Sequence, residues 1–121
     1  MSDPDWVLLS IQPYFVQKIL SGEKTAELRR VRPRLASEGR RVLFYSSSPV
    51  MALTGGATIA SVVEGPRERV WDRVGASSGV TRRQFDRYFA GARATVALVL
   101  EDVWHCQVPI GLASLRNRVP R

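Results

Sequence analysis

At 121 residues, 45% of them hydrophobic and 24% charged, the chain is long enough for one ordinary domain with its own core and too apolar to stay disordered. Eighteen basic residues against eleven acidic give a formal +7, which points to a polyanionic partner, RNA or DNA; sixteen of the eighteen are Arg, an excess that an Arg-favouring codon bias also produces. A membrane or secreted protein is set aside and a cytoplasmic one expected, because the longest apolar run, Ala94 to Leu100, is only strand-length, Met-Ser-Asp-Pro-Asp lacks the basic start of a signal peptide, and the lone Cys106 has no disulfide partner.

In chain order, Trp6 to Ile11 predicts a first strand. Pro13, with no N–H and a fixed φ, suits the first position of a helix whose buried stripe is Phe15, Val16, Ile19 and Leu20. Tyr14, Lys18 and Ser21 fall on its opposite face, and Gly22 ends it in a left-handed conformation. Thr25 to Val31 reads as a second strand, with Ala26 and Leu28 on one face and Thr25, Glu27 and Arg29 on the other. A breaker-rich loop, Pro33 to Gly39, leads to a third strand, Arg41 to Tyr45, which runs into the polar loop Ser46-Ser47-Ser48-Pro49.

Ala57 to Val63 predicts a fourth strand, with Gly55-Gly56 before it as a bend or bulge. Pro66 to Val74 predicts a second helix with Val70, Trp71 and Val74 inward. Thr81 and Gln84 form the sequence signature of a capping box for a third helix, with Phe85, Tyr88 and Phe89 inward and Gly91 at its end. Ala94 to Trp104 reads as a long strand; Val108 to Leu115 has no decisive pattern. Trp6, Trp71 and Trp104 lie in apolar stretches and are expected in the core. The order β-α-β-β-β-α-α-β in one domain (1–121, core about 6–115) predicts an α+β fold, a curved sheet or small open barrel with flanking helices.

Basic charge is concentrated. From Lys24 to Arg41 seven cations (Lys24, Arg29, Arg30, Arg32, Arg34, Arg40, Arg41) face two acids, Glu27 and Glu38, a net +5 in that segment, and Arg116, Arg118 and Arg121 extend the excess into the C-terminal tail. The segment opens with Gly22-Glu23-Lys24-Thr25-Ala26-Glu27-Leu28-Arg29, or G-x-K-x-x-E-x-R. Gly22 permits a tight turn, and Lys24 stands at the mouth of the strand. Arg29 offers a planar fork of donors for a phosphate or a guanine edge, and Glu27, two residues back on the same face, can hold that fork; a plain surface ion pair is the alternative.

This motif, with Leu9-Ser10-Ile11-Gln12-Pro13, the Tyr45 to Pro49 segment, Trp71 and Tyr88-Phe89-Ala90-Gly91 before Ala94-Thr95-Val96-Ala97-Leu98, resembles the ASCH family of the PUA-like superfamily. The resemblance implies a PUA-like small open β-barrel of about five to six strands with two to three flanking helices, a cleft near the motif, and nucleic-acid binding. Some members are small hydrolases of nucleosides or RNA, among them an amidohydrolase acting on acetylated cytidine; that subgroup shares Lys24 but has threonine where this chain has Glu27.

The expected nucleic-acid-binding set is Tyr14, Lys18, Lys24, Glu27, Arg29, Arg30, Arg32, Arg34, Arg40, Arg41, Ser46, Ser47 and Ser48, with Tyr14 as a stacking ring, the serines as donors and the arginines tracking phosphates in one cationic groove. Arg82, Arg83 and Arg87 could extend it. If the chain is an enzyme, Lys24 is the base provided burial lowers its pKa, with Glu27 or Glu64 as partner; a nearby Glu is expected to raise the lysine pKa and oppose that role. One His and one Cys, on opposite faces of a strand, supply neither a nucleophile–base pair nor a zinc site, and no cofactor motif is present.

Overall fold

A computed structural model describes residues 6–111; Arg116, Arg118 and Arg121, and the end of the Val108 to Leu115 segment, lie outside them. Five strands form one mixed sheet: β1 (Trp6–Ile11), β2 (Ala26–Arg29), β3 (Arg41–Ser46), β4 (Ala52–Glu64) and β5 (Val96–Gly111). The helices are α1 (Pro13–Leu20), α2 (Arg67–Val74), which runs into a 3₁₀ turn at Gly75–Ser77, and α3 (Arg82–Phe89). The element order and the α+β class are those expected. Among the described residues no helix is long and apolar enough to cross a membrane.

The strand order is β1-β3-β4-β5-β2, with β1 parallel to β3 and the other pairings antiparallel. The two free edges are therefore β1 and β2. No backbone ladder joins them among the described residues, but the Arg29 side chain at the end of β2 donates through Nη2 to the Ser10 carbonyl of β1 at 3.1 Å. The sheet is a half-barrel drawn together at that point.

Strand alternation feeds two cores. Val96, Leu98 and Leu100 of β5 join Leu9, Val16, Ile19, Val42, Phe44 and Ile59 on one face. Ala97, from the other face, joins Ala26, Leu28, Val70, Val74, Phe85 and Phe89 beneath α2 and α3. On β2 this register buries Ala26 and Leu28 in the second core and turns Glu27 and Arg29 the other way, toward α1.

The helix starts follow the local chemistry. Pro13 opens α1, Gly22 follows it at φ 88°, and the Thr81–Gln84 capping box is complete at α3.

Three expectations need correction. β4 begins at Ala52, so Gly55 and Gly56 lie within it; a Cβ at either would overlap backbone carbonyls (Trp104 at Gly55, Val42 at Gly56), and the ladder to β5 shifts register around them. β5 continues past Trp104 to Gly111, because its far half pairs with Ala52–Gly56 rather than packing on a core. The tryptophans are not core residues: Trp104 is 40% exposed and meets Trp6 edge-on at the sheet surface, and half-buried Trp71 packs edge-on against Phe85. Their apolar neighbours made them read as interior, but these large rings rim the cores.

Candidate functional site

A cavity of about 470 Å³ opens where the β1 and β2 edges approach, between the end of β1, α1 and α3. Lys24 enters it from the turn after α1. Its own N–H donates to the Lys18 carbonyl at 3.0 Å, and the N–H of Thr25 to the Ser77 carbonyl at 2.9 Å, so the turn is tied both to α1 and to the 3₁₀ turn. Gly79, at φ +76°, lies against the lysine stem: a Cβ there would come within 3.2–3.3 Å of the Lys24 Cβ, Cγ and Cδ.

The Lys24 Nζ stands over the Phe15 ring at 5.1 Å, donates to the Ser78 carbonyl and lies 3.7 Å from Glu27 Oε1. The second carboxylate oxygen of Glu27 accepts from Arg29 Nη2 at 3.0 Å. The side chains of Lys24 and Glu27 are 3% and 9% exposed, so this is a buried ion cluster rather than a surface pair. The buried Nε–H of Arg29 has no acceptor among the described residues.

Burial holds the Lys24 ammonium below its ordinary pKa of 10.5, against the pull of Glu27. Of the two opposing influences expected from sequence, burial and a nearby Glu, burial prevails. Glu27, the main opposing charge, is itself shared with Arg29, whose own charge adds to the lowering. Burial likewise pushes the Glu27 carboxyl up, against both cations.

The opposite wall comes from α3. Gln84, Arg87 and Tyr88 share one helix face and line the cavity. The Tyr88 hydroxyl donates to the Leu28 carbonyl at 3.2 Å, and burial raises its phenol pKa.

The arginines after Arg29 do not form the expected groove. Arg30 donates to the Ala90 carbonyl at 3.1 Å; Arg32 donates to the Ala36 carbonyl at 3.0 and 2.9 Å and lies 3.6 Å from Glu64. Arg34 is exposed, Arg40 is half-buried, and the Arg41 guanidinium covers the Trp6 ring at 4.7 Å. Arg41 pairs in register with Trp6, four residues and roughly 13 Å of strand rise from Ser10. None of these five lines the cavity, and neither does Glu64. The pairing of Glu64 with Lys24 is therefore corrected: its partner is Arg32. The Ser46 hydroxyl bonds that of Thr54 at 2.7 Å and the Ser47 N–H bonds the Ile11 carbonyl at 2.9 Å; Ser46, Ser47 and exposed Ser48 lie beyond the cavity lining.

Tyr14 and Lys18 face a second concavity next to the first, while Arg82 is held by Glu68 and Asp86. Sequence reasoning had no role for Phe15, Ser78 or Gln84 at the site, and counted Tyr88 as core. The signal available was the spacing of Gln84, Arg87 and Tyr88 on α3, a mixed polar–aromatic stripe beside Phe85 and Phe89. Among the described residues no cluster of three or more His, Cys, Asp or Glu side chains could hold a metal ion.

A model of the ASCH domain family matches residues 9–116. The chain belongs to the ASCH domain family. An ASCH domain-containing ribonuclease of Zymomonas mobilis is 33% identical over 111 residues, which span 91% of this chain and 73% of that protein. The crystal structure of ASCH from Zymomonas mobilis matches with a TM-score of 0.86 and 31% identity, over 95% of this chain and 79% of that one. The N-terminal domain of Staphylothermus marinus McrB shares the fold alone, with a TM-score of 0.57 and 11% identity over 98% of this chain and 82% of that one. In this ASCH domain the G-x-K-x-x-E-x-R segment spans the turn after α1 and all of β2, and its Lys, Glu and Arg meet at one cavity.

Proposed function

We propose that the cavity binds a nucleotide unit of RNA and that the chain is a ribonuclease in which Lys24 moves the proton. The observation that carries this reading is a water-poor lysine, lowered in pKa, in the wall of a cavity that also holds an arginine. The 33% identical relative named a ribonuclease supports RNA as the substrate class.

In this reading the neutral Lys24 amine accepts the proton of a ribose 2′-hydroxyl. The 2′-oxygen forms a bond to the adjacent phosphorus, the bond from phosphorus to the 5′-oxygen breaks, and water at the open side protonates the departing oxygen. The products are a cyclic phosphate and a 5′-hydroxyl. Arg29, which lines the cavity, faces the charge that develops on the phosphoryl oxygens. Glu27 orients the side chains of Lys24 and Arg29. Tyr88 and Phe15 offer apolar ring surface to the base.

The test is incubation of the full chain with labelled single-stranded RNA and the same sequence as DNA. RNA should yield cyclic-phosphate ends, DNA should stay intact, and Lys24→Met should stop cleavage.

A second reading, RNA binding without cleavage, is favoured by the tight enclosure of Lys24 between Ser78 and Gly79. Salt-sensitive binding with intact RNA at high protein concentration would select it. Neither binding nor cleavage of any RNA would remove both.

A further inference from the structure

We infer that the site is built for a single strand of at least two nucleotides: the strand continues from the cavity into a second groove, where the next base stacks on Tyr14 and its phosphate lies beside Lys18. This inference rests on the RNA reading above and adds length and strandedness to it.

The second groove, about 570 Å³, shares Val80 and Gln84 with the first cavity as a common ridge. The two concavities repeat one device. Tyr14 and Phe15 are consecutive on α1, with ring centres 5.2 Å apart; Phe15 faces the first concavity and Tyr14 the second. Each ring has a lysine ammonium 5.1 Å from its centre, Lys24 at Phe15 and Lys18 at Tyr14. Aromatic surface beside a cation is what a stacked base and its phosphate require.

The partners of the two lysines differ. Lys24 is buried and tied to Glu27 and Ser78. Lys18 is only half-buried and has no carboxylate partner among the described residues, and Tyr14 is 63% exposed. The other cation of the groove, Arg82, is already committed: Glu68 accepts two hydrogen bonds from it at 3.0 and 2.7 Å, and Asp86 two at 3.0 and 3.1 Å. That leaves Lys18 for a phosphate. On the ridge, Gln84 Oε1 accepts from the Thr81 N–H at 2.8 Å, so its amide N–H groups are the part left for a ligand.

The ring planes also select strandedness. The Tyr14 and Phe15 planes lie 70° apart, so bases seated on them are splayed, whereas successive bases of a duplex are stacked nearly parallel.

The experiment measures the affinity of non-cleavable 2′-O-methyl RNAs of one to four nucleotides, and of a duplex, for the full chain. Affinity should step up when a second or third nucleotide is added, and the duplex should bind more weakly than the single strand. Tyr14→Ala should remove about five- to hundred-fold of that step, the range for one base on one ring, while Tyr14→Phe keeps most of it. Lys18→Ala should shrink the step and flatten its salt dependence. The same length dependence in Tyr14→Ala as in the parent chain, or equal binding of the duplex, would overturn the inference; if Arg29→Ala then still weakens every length, the RNA reading survives. Absence of binding by any RNA would overturn that reading itself.

Discussion

The first six residues of the basic segment, net +1, and the twelve that follow, net +4, meet opposite fates. Lys24 to Arg29 turns into the molecule, and three charged side chains share a cavity wall. Arg30 to Arg41 turns outward, where carbonyls, an exposed carboxylate and a tryptophan ring engage its guanidinium groups on separate parts of the surface. Charge crowded in sequence is thus not charge crowded in space. β2 alternation concentrates the first set, and the loop and the opposite end of the sheet disperse the second.

The contrast is most strongly tested by Lys24→Met. The RNA reading expects a loss of about 10²- to 10⁴-fold in cleavage rate, the usual share of a proton-transfer group. Because the substitution removes a charge that burial disfavours and leaves Glu27 matched by Arg29, urea unfolding at neutral pH should show stability kept or raised. A large drop in both would make the lysine a structural cation and erase the contrast.

Glu27→Ala comes next. It strips two buried cations of their shared carboxylate and should cost about 3–5 kcal/mol of stability, read from denaturant midpoints.

The pH dependence sharpens the same point. With the folded Lys24 pKa below 10.5, cleavage should rise with pH and level off before that value, a limb absent in Lys24→Arg. Between the lowered folded value and 10.5 the unfolded chain holds the proton that the folded chain has released, so this group makes stability rise with pH across that window.

The smallest effect belongs to Arg34→Ala in the outward segment. Stability should move by less than about 0.5 kcal/mol. If Arg34 meets a phosphate after all, the salt slope of RNA binding falls by roughly one unit. A larger loss of affinity would mean that the dispersed arginines are gathered by the ligand.

Most of the fold was legible because its cues are local: Pro13 and Gly22 at the ends of α1, the Thr81–Gln84 box, the alternation in β2. The limits of β4 and β5 were not, since Ala52–Gly56 is held as strand by pairing with β3 and the far half of β5, and that far half by pairing with β4. At the site, Lys24, Glu27 and Arg29 were legible from one motif on one strand face. Ser78, Gln84 and Tyr88 lie far along the sequence, and only the packing of the 3₁₀ turn and α3 beside β2 brings them in. The sign of the lysine shift depended on how deeply Lys24 is buried, which spacing does not report.

Arg29 joins Ser10 across the two sheet edges, and that has a mechanical consequence. The molecule's seam is stitched by the very guanidinium offered to the ligand. An anion that claims that thread changes the tension of the seam, so occupancy should register in amide hydrogen exchange along β1, as a change in how readily the half-barrel breathes.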